Sequence, residues 1–156
     1  ASMFASFLFG FEESQILFLG VFINLSGIFG CLILGRYEDK IGSEKTVLTC
    51  ILSLFISTVL LYFTKGSEIF WILALVIGFF VGPIQAASRS VIVKKIKSSD
   101  QLSAFCSFAM FGNVCAILGP FLVSLIIDYS GNIRYGLLVI PTFLLLSLAP
   151  FKKVSA

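Results

Sequence analysis

Three side-chain amides, Asn24, Gln85 and Asn113, interrupt otherwise uncharged apolar stretches of this chain. A polar group in an apolar medium is costly unless it meets a partner or water, so each either bonds a neighbouring helix or lines a path for a polar solute. Ser88 and Arg89 follow Gln85 closely and join this candidate path; Ser88 can also bond its own backbone, and Arg89 can snorkel to lipid headgroups. Catalytic chemistry has little to work with. There is no histidine base, no paired carboxylate inside an apolar stretch and no glycine-rich phosphate loop, so an enzyme is not expected. The four cysteines, Cys31, Cys50, Cys106 and Cys115, form no C-x-x-C pair and have no histidine to complete a zinc site. They are expected to act as small packing residues, and neither a metal nor a cofactor is expected.

The elements that must hold these residues follow from composition. Hydrophobic residues make up 58% of the chain and charged ones 12%, against roughly 25% charged in soluble proteins. Uncharged runs cover 15–35, 46–64, 69–88, 101–127 and 135–151, and about 20 apolar residues in a helix cross a bilayer core. The sequence therefore predicts an all-α membrane protein, one transmembrane domain of five spanning helices over 1–156. Residues 1–11 are expected to be the end of a further, partial helix, which reads as a fragment of a larger transmembrane unit.

Basic residues concentrate at one set of helix ends. Arg36, Lys40, Lys45, Arg89, Lys94, Lys95, Lys97, Lys152 and Lys153 fall on one side of the predicted spans, and Lys65 and Arg134 on the other. The positive-inside rule then places the 36–45 connector and the C-terminus in the cytoplasm. The net charge of +3 and the short Lys94–Lys97 cluster are accounted for by orientation, with no nucleic-acid partner expected. The lipid bilayer is the expected partner, and the Phe-, Ile- and Lys-rich composition suits a bacterial inner membrane.

Small residues and prolines pattern the spans. Gly78, Gly82 and Ala86 recur every four residues, as do Gly112 and Ala116, a spacing that lets helix backbones approach closely. Pro83 and Pro120 each follow a glycine, Gly82 and Gly119, and each removes the donor for the carbonyl four residues earlier, on Phe79 and Ala116. Both helices are expected to bend there, as helices do around transporter binding sites.

The connector Gly35-x-x-x-Asp39-Lys40-x-Gly42-x-x-Lys45 resembles the cytoplasmic loop signature of the major facilitator superfamily. That signature ordinarily ends in two basic residues, and the first of those positions holds Glu44 here. The segment Gly82-Pro83-Ile84-Gln85-Ala86-Ala87-Ser88-Arg89-Ser90, with Phe105, Gly112, Gly119 and Pro120 after it, is similar to the branch of fungal autophagy-related vacuolar effluxers and their bacterial relatives. The resemblance implies the C-terminal half of a twelve-helix secondary transporter. It would work by alternating access with a missing N-terminal half as partner and a small polar solute, amino acids being the implied class. It also implies that Gly35, Arg36, Asp39, Lys40, Gly42 and Lys45 form a cytoplasmic gate in which Asp39 faces the other half. Ion-coupling groups would sit in that half or at Asp39 and Asp128. The competing readings are a non-transporting membrane interaction protein, or an inactive remnant of a split transporter gene.

Overall fold

The computed structural model describes residues 10–64, 66–131 and 133–154, the last stretch with side chains at 135–148. Among them every regular element is a helix: α1 Glu13–Ile41, α2 Ser43–Phe63, α3 Ser67–Lys95, α4 Gln101–Ser130, the short α5 Ile133–Leu137, and α6 Val139–Val154. α1 to α4 are each long and apolar enough to cross a membrane, and 135–148 forms a shorter apolar stretch. The chain is an integral, multi-pass membrane protein. Large apolar side chains cover its outside, with Leu17, Phe18, Phe63 and Leu102 all mostly exposed, the expected surface where the surrounding solvent is hydrocarbon.

Helix boundaries have local causes. α1 starts at Glu12, whose backbone N–H donates to the Gln15 side chain at 3.1 Å, half of a capping box. α4 ends at Gly131 in the left-handed region (φ 65°), where the Gly131 N–H donates to Ile127 O at 2.9 Å. The Gln101 amide reaches back to the carbonyls of Val93 and Ile96 at 3.2 and 3.3 Å, capping the end of α3 from the start of α4.

Two boundaries differ from the sequence expectation. The 36–45 connector is not a loop: α1 continues past Gly35 to Ile41, and Gly42 alone separates it from α2. At 29 residues, α1 is about 44 Å long, more than the roughly 30 Å a hydrocarbon core needs, so its charged end can remain helical in water. The fifth predicted span, 135–151, is broken at Leu138 between α5 and α6. Pro141 accounts for this, since it offers no N–H to Leu137 O and its ring crowds that carbonyl. Both α3 and α4 run unbroken through Pro83 and Pro120. The predicted partial helix at 1–11 falls largely outside the described residues; Gly10 and Phe11 are not helical.

α3 is the central rod. It packs most extensively against α1 and α2, while α6 lies on α2 and α4 joins the rest chiefly through α5. One apolar cluster gathers Leu19, Phe70 and Ala74 with Ile23, Leu61 and Trp71; the other gathers Val47, Ile51 and Ala87 with Val91, Leu144 and Leu148. The first joins α1, α2 and α3, the second α2, α3 and α6. α4 has no buried residue.

Candidate transport site and gate turn

α1 and α3 meet along a seam of glycines. A Cβ at Gly78 would lie 2.7 Å from Ile23 O, one at Gly82 3.1 Å from Gly27 O, and one at Gly27 3.2 Å from Gly78 O. At Gly30 a Cβ would collide with the Phe79 carbonyl. Phe79 O is the acceptor that Pro83 deprives of its helical N–H, so the glycine Cα–H faces an oxygen with spare capacity, a weak but recurring helix–helix contact. Ser26 Oγ donates across the same seam to Leu75 O at 2.8 Å. Gly78 and Gly82 thus lie on it, and so do Ser26, Gly27 and Gly30, which the four-residue pattern in α3 does not reveal. Their signal is the run of small residues in α1. The stripe stops before Ala86, which is exposed; its neighbour Ala87 is fully buried against Val47 and Ile51.

A cleft of about 790 Å³ opens beside this seam, lined by residues of α1, α2, α3, α5 and α6. Asn24 and Gln85 both line it, with Cys31 and Thr58, and none of its described lining residues is charged. The Asn24 amide donates to Gly20 O at 2.8 Å, which leaves its carbonyl oxygen as an acceptor toward the cleft. Thr58 bonds the Leu54 carbonyl of its own helix at 2.8 Å. Gln85 is exposed and hydrogen-bonds no described residue, so both ends of its amide are available.

The other candidates lie elsewhere. Ser88 Oγ donates to Ile84 O at 2.6 Å, and Arg89 is exposed. Asn113 is exposed on α4 and lines neither this cleft nor a second apolar one of about 770 Å³ between α4 and α5–α6. Gly112 and Gly119 have open space where a Cβ would be, and Pro120 is exposed, whereas Pro83 is buried. Among the described residues no three His, Cys, Asp or Glu gather as a metal site.

At the end of the helices opposite Glu13 lies the turn. Gly42 has φ 98° and ψ 152°, a conformation that any side chain would strain, and its N–H donates to Glu38 O at 2.8 Å. Thr46 closes the start of α2 by bonding Gly42 O through its hydroxyl at 3.0 Å. Ser43, next to the glycine, is buried; its hydroxyl donates to Glu38 Oε1 at 2.6 Å and receives Lys94 Nζ at 2.6 Å. Glu44 pairs with Lys95 at 2.7 Å. Gly35 is half-buried with open space beside it, whereas Arg36, Asp39, Lys40 and Lys45 are exposed. Asp39 sits in the last turn of α1, not between helices, and bonds no described residue. The Glu38–Ser43–Lys94 contacts are legible only in three dimensions, since they join residues from three helices.

Comparison with known proteins places these features in a wider context. The family model for the Major Facilitator Superfamily matches residues 1–154. Autophagy-related protein 22 of Cryptococcus neoformans is 25% identical over 99% of this chain and 30% of its own length. The uncharacterized MFS-type transporter YxiO of Bacillus subtilis is 28% identical over 65% of this chain and 24% of its own length. The chloramphenicol resistance protein CraA of Acinetobacter baumannii is 26% identical over 85% of this chain and 32% of its own length. The chain thus spans about a quarter to a third of the length of these curated relatives. No solved structure matches it.

Proposed function

Because this chain belongs to the Major Facilitator Superfamily, we propose that it forms one half of a secondary transporter, moving a small polar solute by alternating access against a complementary half. The observation that carries this reading is the cleft that Asn24 of α1 and Gln85 of α3 both line, with no charged side chain among its described lining residues. Two neutral amides on an apolar wall suit hydrogen bonding to a polar solute whose remaining surface is apolar. Amino acids are the class implied by the likeness to the autophagy-related branch. Any counter-charges for an ammonium or carboxylate would come from the complementary half, since the described lining residues of this cleft carry none.

The orientation that fits is cytoplasmic for the Gly42 turn. Lys45, Lys94 and Lys95 gather at that end, and such a cluster is retained inside. A bacterial inner membrane fits the same asymmetry. Asp39, exposed and without a described partner, is then free to face the complementary half and latch the inner gate.

The test is transport by the chain assembled with its complementary half in proteoliposomes. Asn24→Leu and Gln85→Leu are each expected to raise KM for a neutral amino acid about tenfold, the worth of one lost hydrogen bond to solute. Unchanged KM in both variants would remove the cleft from the transport path.

A further inference from the structure

The family signature that the connector resembles ends in two basic residues, yet Glu44 occupies the first of those positions. Its surroundings give a physical reason. Glu44 lies in the first turn of α2, and Lys94 and Lys95 lie in the last turn of α3. Each charge therefore has the sign its helix end favours, negative at the N-terminus and positive at the C-terminus. A lysine at 44 would face both the positive end of α2 and the Lys95 ammonium, now 2.7 Å from the Glu44 carboxylate. Beside that pair, Lys94 Nζ donates to the buried Ser43 hydroxyl, which donates to Glu38 in the last turn of α1. Two carboxylates and two ammonium groups thus join the ends of three helices, and their charges cancel.

We infer that Glu44 and Lys95, with the Glu38–Ser43–Lys94 relay, are positioning residues. They clamp the Gly42 turn to the end of α3, so that turn and rod move as one body. α3 also carries Gln85, ten residues before Lys95, about 15 Å along a helix. The clamp therefore indexes the Gly42 turn, which directly follows the last turn of α1 with Asp39, to the wall of the cleft. Calling that turn a gate rests on the transporter reading; the mechanical coupling itself does not.

Hydrogen–deuterium exchange on the purified 156-residue chain in lipid nanodiscs tests it at low salt. Glu44→Gln is expected to speed exchange about threefold, the scale of one partly exposed ion pair, in both 42–47 and 91–96. Glu44→Lys should exceed that in both segments, and adding Lys95→Glu should return both to within about twofold of the parent. Ser43→Ala, which removes the relay without altering charge, should also loosen both segments, and it carries the test if Glu44→Lys fails to fold. A response confined to 42–47, or a charge swap that exchanges as fast as Glu44→Lys alone, would overturn the clamp. Because no transport is measured, these outcomes are independent of whether the chain moves any solute.

Discussion

At the scale of single residues, two glycines of this chain are required for different reasons. Gly42 has open space around it but a backbone at φ 98°; Gly30 is an ordinary helical residue with the Phe79 carbonyl against it. Gly42→Ala should therefore destabilise the chain by about 1–3 kcal/mol through backbone strain alone, with α1 and α3 still in register. Three residues away, Asp39→Asn should shift stability by less than about 0.5 kcal/mol, since the exposed carboxylate makes no hydrogen bond or ion pair with a described residue. Thermal unfolding of the two variants in one lipid composition separates these cases. If Asp39→Asn proved as damaging as Gly42→Ala, the carboxylate would be holding this chain together and could not be reserved for the proposed partner half.

At the scale of elements, the seam between α1 and α3 links a proline to a glycine on the neighbouring helix. Pro83 leaves Phe79 O without its helical donor, and Gly30 lets the opposing backbone approach that oxygen. Gly30→Ala should cost about 1–3 kcal/mol by overpacking. Pro83→Ala restores an N–H to Phe79 O and removes the reason for the close approach. The two substitutions share one carbonyl, so their effects should be non-additive by about 0.5 kcal/mol or more; additivity within experimental error would mean that the freed carbonyl and the glycine are unrelated. The sequence shows half of this arrangement. Gly78, Gly82 and Pro83 stand out by spacing and type, but that Gly27 and Gly30 are their counterparts depends on helix rotation, which no one-dimensional pattern fixes. The apolar runs likewise locate α1 to α4, because hydrophobic length is set by the bilayer. They misplace the connector, because helix persists beyond the hydrocarbon wherever nothing stops it, and here the stop is Gly42 alone. The break in the fifth run is not read from the sequence, because the apolar run continues through Pro141 and hydrophobic length alone carries no information about a missing N–H.

At the scale of the molecule, α3 braces α1 and α2 while α4 has no buried residue. Such an arrangement presents broad apolar faces for lipid or a complementary half, and it bears on what the chain does by itself. Proteoliposomes holding these 156 residues as the sole protein are expected to accumulate no amino acid above protein-free vesicles, whereas assembly with a complementary half should produce uptake. Robust uptake by the lone chain would refute the half-transporter reading. The amides of the candidate site were legible as chemistry in the sequence, but their grouping was not: Asn24 and Gln85 share a cleft and Asn113 does not, a difference set by helix packing. Five hydroxyls along α2 and at its C-terminal cap have a different bearing, on biogenesis. Thr46 bonds Gly42 O, Thr49 bonds Lys45 O, Ser57 bonds Ser53 O, Thr58 bonds Leu54 O and Thr64 bonds Leu60 O. Each of these side chains is satisfied by the backbone of its own segment and asks nothing of a neighbour. Ser43, at the start of α2, instead bonds Glu38 of α1 and Lys94 of α3; these five ask for no later helix, so their burden on α2 leaving the translocon for lipid is met before α3 is synthesised. α1, whose Ser26 donates to the carbonyl of Leu75 on α3, gains its partner only after α3 has emerged.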